Sequence, residues 1–478
     1  MVFTSFNFLL FFPLLGVLYW ITPAKYRWLT LLIASYFFYI NIKPVFILLV
    51  AGVTMSTYLF TRLMDATKNE SLKSSYLTLN IVLILLPLFF FKYFVDINNA
   101  LLAFLESHHA RWPLPEIKLI LPIGISFYTF MAIGYTVDVY NEEIECEKNI
   151  GIVALFVSFF PLILSGPIER AGNMLPQFKG LRTLDFSLVV QGFKLMLWGY
   201  FMKLVVANRL GLYVDTVYGD IMHHNGTTLL LASILYPFQV YADLGGYSLI
   251  AIGCAKTLGI DVMQNFKRPF FATSMSEFWR RWHISLISWL TDYIYTPLSF
   301  AFRKYKIWGI VIALMITFLI SGIWHGAALT FVVWGLMQGL FLSIEALTNQ
   351  KRSTLDNKYD LSKRPWFMFA GICLTFVLFT ASQIFGRAPD IRDAFDIYGK
   401  IFAVHGRPYI GSSSAFIITM VGLFILLFRD FTEEFMPDRF LLFENKHQLV
   451  RVAAYWATFI LILLIGVFSG TQFIYFQF

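Results

Sequence analysis

Two histidines stand where a proton-transfer group would be placed. His325 lies in Ser321-Gly322-Ile323-Trp324-His325-Gly326, midway along a stretch from Ile307 to Ile344 that contains no Asp, Glu, Lys or Arg. An ionisable side chain in such an apolar run is costly and is by default a functional candidate. Its near-neutral titration suits a general base, with Trp324 beside it as support. The plainer alternative is a histidine that only hydrogen-bonds between helices. The flanking glycines permit a helix break or a close approach beside a ligand.

His283 belongs to Ser274-Met-Ser-Glu277-Phe278-Trp279-Arg280-Arg281-Trp282-His283-Ile284-Ser285-Leu286. Ser274 and Glu277 have capping-box spacing and Pro297 limits the far end, which predicts one helix of about twenty residues. At roughly 100° per residue, Arg281, Ser285, Ser288 and Asp292 share a polar stripe, and Trp279, Trp282, Leu286 and Leu290 lie opposite. His283 falls on the apolar side. The helix is expected at the membrane interface, its stripe in water and His283 facing inward, either as a satisfied core residue or in a catalytic or positioning role.

Asp243, in Tyr241-Ala242-Asp243-Leu244-Gly245-Gly246-Tyr247, is a carboxylate inside an apolar segment and is expected to pair with an arginine or histidine. Lys194 and Lys203 read as side chains snorkelling to an interface. The histidines lie 42 residues apart without a nearby third ligand, and Cys146, Cys254 and Cys373 show no paired spacing. Neither a metal site nor a disulfide framework is expected.

The elements that must position these groups are helices in lipid. The chain has 478 residues, 58% hydrophobic and 14% charged, with a mean hydropathy of +0.68. That composition lies outside the soluble range. Apolar runs at 6–22, 45–61, 76–91, 119–137, 150–165, 187–207, 227–255, 307–324, 328–344, 366–386, 408–428 and 452–469 are span candidates, and 28–42 is a shorter one. They predict an all-α polytopic protein with roughly 11–13 transmembrane helices plus interfacial or re-entrant pieces, forming one membrane domain over 1–478. The first segment reads as a retained helix and not as a cleaved signal.

The net charge of +8 sits in short loops between apolar runs, which is a topology signal and not a nucleic-acid surface. With the basic clusters Arg303, Lys304, Lys306 and Lys351, Arg352, Lys358, Lys363, Arg364 both cytoplasmic, 307–344 goes out and returns, and His325 sits near the outward turn. Continuing the alternation places the C-terminal tail on His325's face. The acidic loop Glu142, Glu143, Glu145, Glu147 then falls outside, while Arg62, Lys68 and Lys73 favour a conflicting parity. A transporter fits the composition equally well, but no internal repeat is visible.

Several segments together resemble the membrane-bound O-acyltransferase family, in particular its bacterial alginate O-acetyltransferase-like branch. They are Phe3-Thr-Ser-Phe6-Asn-Phe-Leu-Leu-Phe11, Leu121-Pro122-Ile-Gly124-Ile-Ser126-Phe127-Tyr128, Phe160-Pro161-Leu-Ile-Leu-Ser-Gly166-Pro167-Ile168, Gly245-Gly246-Tyr247-Ser248, Asn265-Phe266, Phe278-Trp279-Arg280-Arg281-Trp282-His283 and Trp324-His325-Gly326. The resemblance implies a catalytic role for His325, a second functional position at His283, and helices around a central tunnel. Arg281 and Asp243 are supporting candidates. Asn208 stands where similar sequences often carry Asp and so has no acidic role, and Gly245 stands where Ser is common.

The same resemblance implies no bound cofactor. Acetyl-CoA or another acyl thioester would be the donor, arriving at the cytoplasmic face of a bacterial inner-membrane protein. A hydroxyl acceptor would come from the other face, with a polysaccharide-acetylating partner outside the cytoplasm. Similar tails are proposed to relay the acyl group, which would make Tyr475, in the aromatic tail 470–478, an acyl carrier; an interfacial anchor is the alternative. D-alanyl transfer to teichoic acid is the rival within the class.

Overall fold

The computed structural model describes residues 1–108, 121–437, 441 and 443–468. It is helical, with no strand among these residues. Tyr475 and the tail 470–478 lie outside them.

Among the described residues eight helices are long and apolar enough to cross a bilayer: Pro44–Ala66, Glu70–Ser107, Phe186–Tyr218, Ile307–His325, Leu329–Tyr359, Pro365–Arg387, Ser413–Phe435 and Gln448–Ile465. Phe6–Ile21 and Ile150–Ile163 are shorter apolar helices. The first has 16 residues, and the second is interrupted after Ser158, so each falls short of the length that about 30 Å of hydrocarbon requires. The protein is therefore polytopic, with some of the expected spans realised as shorter apolar helices.

The chain divides into two compact units. The first comprises Met1–Phe193 and Ile250–Met263. Within it the Ile125–Tyr140 helix starts at Gly124, whose φ is +80°. A Cβ there would meet the Ile163 carbonyl oxygen at 2.0 Å, so glycine is required both by backbone conformation and by the approach of the Phe160–Ile163 turn. The conflict in loop charges also has its origin here. Lys73 bonds Glu142 at 2.9 Å, so the basic and acidic loops share one end of this unit and neutralise each other.

The second unit comprises Lys194–Leu249 and Gln264–Phe478 and contains both histidines. Ile307–His325 and Leu329–Tyr359 form a hairpin closed at 326–328, as the loop charges predict. The helices touch backbone to backbone, because a Cβ on Gly322 would lie 2.4 Å from the Phe331 oxygen and one on Gly335 2.4 Å from the Phe318 oxygen. The returning helix does not end near 344 but runs 31 residues to Tyr359, about 46 Å. Its last turns carry Lys351, Arg352 and Lys358 beyond the apolar layer as helix, not as loop.

The single helix expected over 274–297 is broken. Met275–Arg281 and Ile284–Leu290 are separate helices, followed by a wide turn at 291–295 and the short Thr296–Ala301 helix. The break falls on Trp282 and His283.

Candidate functional site

His325 is the last residue of its helix, half-buried, with its ring 4.6 Å from Trp324, 4.8 Å from Trp334 and 6.1 Å from Phe331. The helix stops there because Gly326 is fully extended, with φ 178°. A side chain on Gly326 would meet the Phe331 ring at 2.5 Å, so the turn holds Phe331 against the histidine.

His283 reaches the same place by another route. Its backbone is left-handed, φ +46° and ψ 50°, a conformation that costs a residue with a Cβ about 1–3 kcal/mol and persists only where the surroundings impose it. The surroundings are bonds from the segment beginning at Asn265. Lys267 N–H donates to the Arg281 oxygen and Ile284 N–H to the Asn265 oxygen, both at 2.8 Å. The Asn265 side-chain oxygen accepts from Ser285 N–H at 3.2 Å and from Ser285 Oγ at 2.9 Å, and its amide donates to Ser248 Oγ at 3.0 Å. Ser248, Asn265 and Ser285 thereby tie the turn to the Gly226–Thr257 helix. Ser285, expected in water, is fully buried as a member of this chain.

The His283 ring is 3% exposed, inward as expected, with the Phe266 ring at 6.0 Å. Burial pushes its imidazole down to about 4, so it is neutral at physiological pH and offers one donor and one acceptor.

The two histidines line one narrow cavity of about 50 Å³ together with Trp279, Trp282, Ser321 and Trp334. Ser321 precedes His325 by one helical turn and shares its face. The cavity has room for a few waters. The indole N–H groups of Trp279 and Trp334 are buried and have no acceptor among the described residues. A buried donor without a partner calls for an explanation. Trp334 had no distinguishing sequence signal. It is one of many aromatics in an apolar helix, and only the hairpin places it over His325.

The remaining candidates lie elsewhere. Asp243 forms a buried ion pair with Lys203 at 2.5 Å, and the Lys203 ammonium also lies 5.5 Å from the Tyr247 ring centre. The expected partner of Asp243 is thus a lysine, and Lys203 does not snorkel. A wide helical turn over Phe201–Ala207 carries it inward. Neither residue lines the cavity, although Leu244 next to Asp243 does. Arg281 is bound to Glu277 at 2.6 Å and Glu434 at 2.9 Å, in a cluster with Arg268, and anchors the short helix instead of facing the histidines. No group of three metal-ligating side chains is found among the described residues.

Asn208 has a role that its sequence position did not suggest. Its amide donates to the Val467 oxygen at 2.7 Å, Val467 N–H donates to the Leu204 oxygen at 2.9 Å, and Arg209 Nε donates to the Ile465 oxygen at 2.5 Å. An ionised aspartate would have no hydrogen to give at the first of these bonds. The end of the last described helix is held on the same helical run as Asp215, which pairs at 2.7 Å with Arg387 at the end of Pro365–Arg387.

A second cavity of about 260 Å³ abuts the first, and Tyr236, Phe331 and Gly386 line both. It contains Asp215, Gln239, Thr330 and Arg387, and the Arg387 guanidinium also lies 5.3 Å from the Tyr218 ring centre. Its lining includes Ala328, so it lies beside the turn at 326–328 that closes the hairpin.

Helices of membrane length around two histidines that line one narrow cavity, with glycine-closed packing, define a multi-pass membrane protein with an enzyme-like site. Residues 31–355 match the family model for MBOAT, the membrane-bound O-acyltransferase family. The chain is 34% identical over 414 residues to the protein named probable alginate O-acetylase in Pseudomonas aeruginosa, covering 84% of this chain and 75% of that one. It is 29% identical over 406 residues to the peptidoglycan O-acetyltransferase of Helicobacter pylori, covering 79% and 74%. With the teichoic acid D-alanyltransferase of Bacillus subtilis the identity is 26% over 301 residues, covering 61% and 72%. The chain belongs to the membrane-bound O-acyltransferase family and is an O-acyltransferase.

Proposed function

We propose that this enzyme moves an acetyl group from a thioester donor, acetyl-CoA or a related acyl thioester, to a hydroxyl, and that the ester ends on a polysaccharide outside the cytoplasm. The donor enters from the basic-loop end and the acceptor from the end of His325, in a bacterial cytoplasmic membrane. The observation that carries this reading is the convergence of His325 and His283 on one buried cavity. The names of the relatives favour acetyl transfer over D-alanyl transfer, since the two most similar of those described are acetylating proteins at 34% and 29% identity.

In this reading His325 accepts the proton of the attacking hydroxyl as its oxygen bonds the thioester carbonyl carbon. The carbon–sulfur bond then breaks and the proton passes to the departing sulfur, leaving a free thiol and an oxygen ester. His283, neutral and fixed by Asn265, orients the reacting groups. The Trp279 and Trp334 N–H groups are donors for the carbonyl oxygen as negative charge builds on it. Trp324 supports the His325 ring, while Asp243 and Arg281 act at a distance by holding their helices.

Tyr475 is proposed as an intermediate acyl carrier, with an extracytoplasmic protein assisting modification of the polysaccharide. The hold of Ile465 and Val467 on the helical run of Asp215 supports this reading. Mass spectrometry of surface glycans from cells with and without the protein tests the function. Ester-linked acetyl groups should vanish without it, and an unchanged ester content would sink the reading.

A further inference from the structure

The cavity that both histidines line also holds an amide that the fold leaves unengaged. Gln383 is 8% exposed and lines this cavity, yet its side chain bonds to none of the described residues. Its neighbour Ser382 is fully committed, accepting from Gln338 Nε2 at 2.5 Å and donating to the Phe379 oxygen at 2.6 Å, so the helix beneath the amide is held. One turn further along, a Cβ on Gly386 would lie 3.3 Å from Gln383 Oε1 and 3.6 Å from Trp334 Cδ1, the ring carbon bonded to the indole nitrogen. The amide and the N–H edge of the indole therefore flank the same glycine, which also lines the cavity. A half turn about the last side-chain bond exchanges the amide oxygen and nitrogen, so Gln383 is able to present N–H to the cavity.

We propose that Gln383 is a further catalytic residue, whose amide N–H donates to the thioester carbonyl oxygen, beside Trp334, as that oxygen becomes the alkoxide of the tetrahedral intermediate. The inference rests on the O-acyl transfer reading and adds to it a donor from a third membrane helix, Pro365–Arg387. A carbonyl oxygen has two lone pairs, which the Trp279 and Trp334 N–H groups match in number. Once the attacking oxygen has bonded to the carbon, the former carbonyl oxygen carries three lone pairs and a negative charge, and a third donor becomes useful. The Gln383 bond thus strengthens only on the way to the transition state, which raises turnover without tightening donor binding. The amide keeps its own proton throughout, and the proton of the attacking hydroxyl still passes to His325.

Two variants of the full-length protein test this, each assayed in isolated membranes for transfer of the radiolabelled acetyl group of acetyl-CoA to extracytoplasmic material. Gln383→Met is nearly isosteric and removes a buried unbonded polar group, so its thermal unfolding temperature should not fall. Its kcat should drop about tenfold to a hundredfold while KM for acetyl-CoA stays within about twofold of the parent. Gln383→Asn keeps an amide but draws it back by one carbon–carbon bond, about 1.5 Å, and should lose turnover with the same unchanged KM. Parent-level kcat in both variants would overturn the proposal, since the amide would then serve only water in the cavity. So would a raised KM at unchanged kcat, which marks a contact already made in the ground state, and so would a loss of activity that follows a lowered unfolding temperature in both variants, which marks a packing role. A His325→Ala control separates the two claims. If that variant keeps transfer, the catalytic reading of the cavity fails. If it loses transfer while the Gln383 variants do not, only the role of the amide fails.

Discussion

The two histidines reach one cavity through opposite kinds of structure. His325 ends a regular apolar helix, and its location follows from local features: a glycine that stops the helix, and Gly322 and Gly335, which let the returning helix lie against it. His283 sits at a break held in a left-handed conformation by residues far away in sequence, Ser248 and Asn265. The first is positioned by packing and the second by hydrogen bonds. Perturbing their supports should therefore have different consequences.

The largest effect outside the histidines is expected at Asn265. Asn265→Leu leaves Ser285 Oγ and Ser285 N–H without their acceptor and releases the turn, so acyl transfer should fall about a hundredfold, in line with loss of a catalytic group's orientation. A fall of less than about threefold would show that the turn holds itself. Next is the Lys203–Asp243 pair. Lys203→Met strands a buried carboxylate, which costs about 3–5 kcal/mol, and the protein should lose thermal stability or fail to accumulate. The double variant Lys203→Met with Asp243→Leu should recover much of that loss, and no recovery would contradict the pairing.

Trp334→Phe keeps the ring over His325 and deletes the N–H. The turnover rate should drop about tenfold or more with little change in the apparent affinity for acetyl-CoA, as for loss of a donor to a developing oxyanion. An unchanged rate would remove the indole from the chemistry. The smallest expected effect concerns pH. The His283 imidazole titrates near 4 when folded against 6.5 as its ordinary value, so the unfolded chain binds more protons between those values. Stability should decline as pH falls from about 6.5 toward 4, and His283→Phe should flatten that decline in thermal unfolding measured across the range.

His325 could be singled out in the sequence because an unaccompanied imidazole in an uncharged stretch is visible without knowing the fold. The hairpin was legible for the same reason: loop charges bracket it. His283 was legible as a residue but not as a turn. Helical periodicity extends unbroken through 274–297, and nothing local reveals that Asn265, across a loop and a short helix, takes over the backbone bonds. The partner of Asp243 was missed because Lys203 looks like an interfacial lysine until the wide turn at 201–207 carries it inward. Trp334 was invisible for a third reason. Its significance is that its buried indole N–H has no hydrogen-bond partner among the described residues, and a missing partner leaves no mark in a sequence.

The central claim is that chemistry occurs at His325. It is tested most directly by measuring acetyl transfer from radiolabelled acetyl-CoA to extracytoplasmic material in membranes that contain equal amounts of the parent protein and the His325→Ala variant. Transfer in the variant should fall by about a thousandfold, within the range expected for loss of a general base, with thermal unfolding unchanged. Transfer within a few-fold of the parent level in a normally folded His325→Ala protein would contradict the account.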